Sequence, residues 1–356
     1  MWSAECGVRS TGLSFPIPHS PFRIRDIVMA SYLIRRVLGF VPVLFLITVI
    51  SFGIMHLAPG KPTDAAMSFN PKVSLEARQR LEKLYGLDRP LHVQYAQWLS
   101  RTARVDFGRS FLDDRPVTEK IVERLPITLT INVCSLLLIL GIAIPLGVTA
   151  AVRPGRWFDR VSTVFVFIGY STPSFWLALF CIALFGVTLR WLPISGVHSL
   201  DYEAFGSVHR WLDMGWHLIL PVGIAAFGGL AGISRFMRSS MVEVLQQDYI
   251  RTARAKGLPE RRVLFHHGLR NGLLPVITIL GLSVPDLIGG AVIAETIFSI
   301  PGMGRLFYEA VMARDYPVVM ALVTIGGVLT MLGNFFADVA YAYADPRIRV
   351  GAAESR

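Results

Sequence analysis

Uncharged apolar runs of roughly 20 residues recur along the chain, separated by shorter basic segments; a helix of that length crosses about 30 Å of hydrocarbon. The pattern predicts six membrane-spanning helices, at about Val37–Met55, Pro126–Val152, Val161–Leu189, Trp216–Ile233, Leu273–Ala294 and Pro317–Ala337. Pro42, Gly169, Pro173, Pro221 and the Gly228-Gly229 pair fall inside these runs, where neighbouring helices can re-satisfy the backbone groups they free. The expected class is all-α, a polytopic membrane protein with six transmembrane helices and a small helical extracytoplasmic insertion.

Between the runs the sequence divides as follows. Residues 1–28 read as a disordered or mis-called N-terminal extension, because Phe15-Pro16-Ile17-Pro18 interrupts any apolar stretch and Met29 suits a natural start. Residues 29–56 carry the first span, and 57–125 form an extracytoplasmic insertion between spans one and two. In the insertion, Leu75, Leu81, Leu84 and Tyr85 recur at helical spacing, with Ser74 as N-cap and Gly86 as stop. A second helix starts at Pro90 and places Leu91, Tyr95, Trp98 and Leu99 on one face. Its periodicity serves equally a cap over the spans and a docking surface. Residues 126–344 form the transmembrane core, with a cytoplasmic loop at 235–272, and 345–356 form a cytoplasmic tail.

Composition agrees with this class: 53% of residues are hydrophobic and 17% charged, against about 25% charged in soluble domains. The net charge of +10 would suit a nucleic-acid binder, but the basic residues lie between apolar runs and not on one soluble face. Arg35, Arg36, Arg153, Arg156, Arg160 and the cluster Arg235, Arg238, Arg251, Arg254, Lys256, Arg261, Arg262 and Arg270 occupy alternate short loops. By the positive-inside bias both termini face the cytoplasm, and no nucleic-acid partner is implied. Cys6, Cys134 and Cys181 form no CxxC pair, and the adjacent His266 and His267 make a poor metal pair, so no metal site is indicated. Gly60-Lys61 runs into Pro62 and is no nucleotide loop, and Gly281-Leu282-Ser283-Val284-Pro285 is no nucleophile elbow. The chain carries no ATPase motif, no catalytic residue and no cofactor site.

The loop after span four holds the most structured polar sequence. Val242, Leu245, Tyr249 and Ala253 are spaced as one helix face, Gly257 fits a left-handed stop, and Pro259 suits the first turn of a second helix running through Val263, Leu264 and His267 towards Asn271. A stiff corner of this kind can seat in a groove of a soluble partner. It can equally be an amphipathic connector lying on anionic lipid.

Within the apolar runs, Asp286 stands out. An aspartate at mid-membrane costs about 2.5–3.5 kcal/mol on insertion scales and must face protein or water. It reads as a residue of a translocation path or as half of a buried pair. Glu295 follows about half a turn round and cannot share its face. Gly228 with Gly232, Gly289-Gly290 and Gly326-Gly327 read as points of close helix packing.

The stretch from Asp248 to Pro275 resembles the cytoplasmic signature loop of binding-protein-dependent ABC transporter permeases, in their dipeptide/oligopeptide branch. Further motifs resemble that branch in order: Arg115-Pro116-Val117, Glu123-Arg124-Leu125-Pro126, Ser171-Thr172-Pro173-Ser174-Phe175-Trp176, Glu295-Thr296-Ile297-Phe298, Pro301-Gly302-Met303-Gly304-Arg305, Arg314-Asp315-Tyr316-Pro317 and Asp345-Pro346-Arg347-Ile348. Arg251, Thr252 and Ala253 stand where the general signature begins Glu-Ala-Ala, a departure typical of the peptide branch. The resemblance implies a type I ABC importer permease fold in a bacterial plasma (inner) membrane. It implies ATPase coupling through Asp248, Tyr249, Arg251, Ala253, Lys256, Gly257, Leu258 and Pro259, and a translocation pathway to which Asp286 and Glu295 are assigned. Its implied partners are a homologous second permease, two ABC ATPase subunits carrying ATP and Mg, an extracytoplasmic solute-binding protein and the lipid bilayer. Its implied cargo is a di- or oligopeptide or a related small solute. The alternative is a stand-alone secondary transporter, which would show internal repeats and paired broken spans; no repeat is evident.

Overall fold

The computed structural model describes residues 21–57 and 88–344. The expected helix of Leu75 to Tyr85, residues 1–20 and the tail from Asp345 lie outside the described residues. The chain divides into a first unit up to Val43 and a second from Leu44 onward. The first helix, α1, spans Pro21–Leu57. Residues 21–28, assigned from sequence to a disordered or mis-called extension, are therefore helical. Proline at a helix's first position has no N–H to lose and a φ already suited to the turn.

Helix α2 (Leu91–Thr102) starts after Pro90. Tyr95, Trp98 and Leu99 turn inward as the spacing predicts, but Leu91 is exposed. Buried Thr48 on α1 pairs its hydroxyl with Tyr95 at 2.9 Å, and His56 meets Gln94 at 3.2 Å, so α2 packs as a cap on the C-terminal end of α1.

Helix α3 (Val117–Val152) begins at Val117 and not at Pro126. The charges of Glu119, Lys120, Glu123 and Arg124 end the apolar run without ending the helix. At 36 residues it is about 54 Å long, well beyond about 30 Å of hydrocarbon, and its charged residues are confined to its first turns.

The third span is not one straight helix. Helix α4 (Trp157–Ser171) and helix α5 (Ser174–Cys181, continued by a π turn at Ile182–Thr188) meet at a bend of 98°. The ring of Pro173 excludes helical geometry at Thr172, which is extended (φ −85°, ψ 119°).

Helix α6 (Ser207–Leu245) lies along α3 and forms with it the most extensive helix pair. The close approach is made by Gly147 and Gly229: a Cβ would fall 2.7 Å from Met237 Cβ and 2.5 Å from Ile139 Cδ1 respectively, whereas Gly228 and Gly232 face open space. Ala143, Val148, Ala151, Leu230, Met237 and Met241 make the buried seam of this pair.

Helix α7 (Asp248–Ala255) follows, and a second arm begins at Glu260. The fifth span is broken into α8 (Leu274–Leu282) and α9 (Val284–Gly289), and the chain resumes as α10 (Val292–Ile297). Gly290 sits at the second break with φ +73° and ψ 164°, a backbone open to glycine alone. Helices α11 (Met303–Met312) and α12 (Tyr316–Ala344) complete the described chain. Among the described residues five helices are long and apolar enough to cross a membrane, six with the bent pair counted as one span.

Candidate functional site

The corner after α6 is a small body with its own interior. Helix α6 stops at Leu245, Gln246 and Gln247 intervene, and α7 restarts at Asp248. The buried residues of α7 are Ile250 and Ala253, and Tyr249, expected on the buried face, is exposed and accepts a hydrogen bond from Asn271 Nδ2 at 2.9 Å. Ile250, Ala253 and Val263 form the interior, with Leu245 and Leu258 packed on it.

Gly257 has φ +75°, the left-handed stop that its position predicts. Its N–H donates to Arg254 O at 2.9 Å, and the second arm starts after Pro259. Arg254 and Glu260 close the corner at 2.6 Å. The second arm is fixed to the end of α6: Ser240 Oγ donates to Gly272 O at 2.9 Å, and a Cβ on Gly272 would lie 2.6 Å from Met241 Sδ. Asp248, Arg251, Lys256, Gly257 and Pro259 are left on the outside, Asp248 and Arg251 paired at 3.4 Å. The arrangement presents a charged tip on a stiff base. Nearby, Arg238 of α6 holds buried Asp159 of α4 through two bonds of 2.5 and 2.7 Å.

The two acids of the fifth span have opposite surroundings. Asp286 on α9 is exposed, and its carboxylate has no hydrogen bond or ion pair among the described residues, while its own carbonyl and that of Leu287 accept from Asn132 Nδ2 at 3.0 and 2.9 Å. Glu295 is only 4% exposed. Its Oε1 accepts from Thr128 Oγ1 at 3.1 Å and from Ala291 N at 3.4 Å, and its Oε2 accepts from Arg305 N at 2.8 Å. Of the two residues assigned from sequence to a pathway, Asp286 therefore has a free carboxylate, and Glu295 is engaged inside the chain.

A third polar cluster sits at the N-terminal end of α3. Asp315, buried just before α12, accepts from Ser110 Oγ and from Phe111 N (2.9 Å). Lys120 Nζ donates to Ser110 Oγ at 3.0 Å and to Asp113 Oδ2 at 2.9 Å. Burial pushes the Asp315 carboxyl above its ordinary range. Burial also acts to raise Asp113, but hydrogen bonds from Lys120, Ser110 and the Arg115 amide outweigh it and hold that carboxyl low. A cavity of about 140 Å³ opens here between Arg115, Lys120, Arg124, Glu309 and Asp315.

Thr128, Asn132, Ser110 and Lys120 were not singled out from sequence. The available signal was a Thr and an Asn one helical turn apart inside an otherwise apolar run.

Residues 143–350 match the model of the family "Binding-protein-dependent transport system inner membrane component", and residues 29–132 match its N-terminal counterpart. The chain is 47% identical over 323 residues to the oligopeptide transport system permease protein AppB of Bacillus subtilis, covering 90% of this chain and 99% of the relative. It is 39% identical over 337 residues to the di/tripeptide transport system permease protein DppB of Pseudomonas aeruginosa (90% and 99% covered). It is 36% identical over 334 residues to the dipeptide transport system permease protein DppB of Alkalihalophilus pseudofirmus (90% and 100% covered).

Proposed function

Because the chain belongs to the family of binding-protein-dependent transport system inner membrane components, we propose that it is the permease subunit of an ATP-driven importer of di- or oligopeptides. It is a multi-pass inner-membrane transport protein and not an enzyme. The names of the three relatives described above, each a peptide permease, support the cargo class. The reading gives it a homologous second permease, an extracytoplasmic solute-binding protein, and two ATPase subunits that carry ATP and Mg. Both termini lie in the cytoplasm, on the side of the arginine-rich loops.

The observation that carries the coupling role is the corner at Gly257. It combines a left-handed glycine, a private apolar interior and a charged exposed tip. A stiff projection transmits a push without absorbing it, and the motor must bind the two transport states with different free energy to switch them. Asp248, Tyr249, Arg251, Lys256, Gly257 and Pro259 face outward and meet the ATPase; Ala253 and Leu258 support them from beneath. In complexes reconstituted with the partner subunits, Gly257→Val is expected to leave ATP hydrolysis running while uptake falls about tenfold, since a β-branched residue takes this backbone only with strain. Wild-type coupling in that variant would sink the role of the corner.

Asp286 is the pathway residue of this reading, its free carboxylate placed to meet a peptide's ammonium group. Asp286→Asn is expected to raise the KM of uptake with complex assembly intact, and an unchanged KM removes Asp286 from the path. The broken third and fifth spans are the feature that a stand-alone secondary transporter would share. Uptake by the purified chain without nucleotide or partners would select that alternative.

A further inference from the structure

The break after Gly289 leaves two sets of backbone groups without helical partners, the last carbonyls of α9 and the first N–H groups of α11. Both sets are taken up from one face of α3. Asn132 donates to the carbonyls of Asp286 and Leu287. One turn away, Thr128 accepts the Met303 N–H at 2.8 Å and donates its own O–H to Glu295, which in turn accepts the Arg305 N–H. Glu295 has no ion pair among the described residues; the positive end of α11 balances its charge.

Three glycines let the backbone close around this carboxylate. A Cβ on Gly302 would lie 2.6 Å from Glu295 Oε1, one on Gly290 2.5 Å from Gly304 N, and one on Gly304 2.6 Å from Val292 N. Close packing and hydrogen bonding together hold Glu295 and the start of α11 against α3. Asp286 stands on the last helical piece before this segment, with its own carbonyl in Asn132's grip.

We propose that Glu295, Thr128 and Asn132 form a latch that fixes the broken end of the fifth span, and that Glu295 is thereby a positioning residue for Asp286 and not a lining residue of the path. The latch rests on the transport reading above for its consequence, though not for its geometry.

The test uses the full complex in nanodiscs and proteoliposomes, with Thr128→Val, Thr128→Ser, Glu295→Gln and Asp286→Asn. Thr128→Val keeps shape and loses the hydroxyl, while Thr128→Ser keeps the hydroxyl. Thr128→Val and Glu295→Gln are expected to speed amide hydrogen exchange at Met303 and Arg305 about tenfold, the factor for ~1.4 kcal/mol of local opening. They should also lower maximal uptake about fivefold with KM near wild type, and Thr128→Ser should restore both. Unchanged exchange overturns the latch, and faster exchange with unchanged uptake overturns its positioning role. The pathway reading fails separately, by an unaltered KM in Asp286→Asn, whatever the latch variants do.

Discussion

The Gly257 corner and the Glu295 latch are both glycine-dependent turns, built on opposite plans. At the corner, apolar side chains face in and charges face out, and its ion pair, Arg254–Glu260, joins residues six apart. At the latch the polar groups are inside and the glycines are walls, and its bonds to α3 join residues 154 to 175 apart. One plan leaves a charged surface exposed; the other holds the protein to itself. They also differ in why glycine is needed. Gly257 has open space around it and requires only its φ of +75°, whereas Gly302 has ordinary backbone and no room.

That difference should be visible in stability. Gly302→Val drives atoms into the Glu295 carboxylate and is expected to destabilise by about 3 kcal/mol or more, at the upper end for overpacking, read as a lower melting temperature of the purified chain. Ile250→Ala empties the interior of the corner. It is expected to cost about 2–4 kcal/mol of local stability, with limited proteolysis near Lys256 accelerated and the melting of the spans unchanged. Arg254→Ala removes an exposed pair worth ~0.2–1 kcal/mol and should shift corner proteolysis only slightly. If Arg254→Ala loosened the corner as much as Ile250→Ala, the apolar interior would not be what stiffens it.

The smallest expected effect is on pH. Asp113 has a folded pKa below its unfolded value of about 3.9. Its contribution is therefore fully present above that value and is lost as pH falls through the folded pKa. Asp315 shifts upward, so its protonation at falling pH relieves a burial penalty and partly offsets the loss. The protection of the Ser110–Arg115 amides, measured relative to their intrinsic exchange rates, should thus lose the Asp113 contribution as pH falls through its folded pKa, and the Asp113→Asn variant should match wild type only at acid pH.

The corner was largely legible because its determinants are local. Gly257 and Pro259 announce a stop and a restart, and the structure places both there. Of the face read across Gln246 and Gln247, Leu245 and Ala253 pack on the interior while Tyr249 is exposed and bonds to Asn271. The six spans were legible as runs of apolar residues, but their ends were not, since Glu119 to Arg124 change the solvent around α3 and leave its backbone helical. The latch was not legible. Gly289-Gly290 in an apolar run has the same appearance as helix-packing glycines, and nothing local ties Glu295 to Thr128. Long-range polar pairing is written in the fold and not in any window of sequence.

The kink at Pro173 has a consequence for the life of this polypeptide. Helix α4 is 15 residues long, about 22 Å, shorter than about 30 Å of hydrocarbon, and the chain then turns aside through 98°. Tyr170, Phe175 and Trp176 are left bare at that turn, beside irregular backbone that lipid cannot solvate. A molecule with such a seam is unfinished when alone: cells that make it without its neighbours should degrade it early, and co-expression should lengthen its half-life.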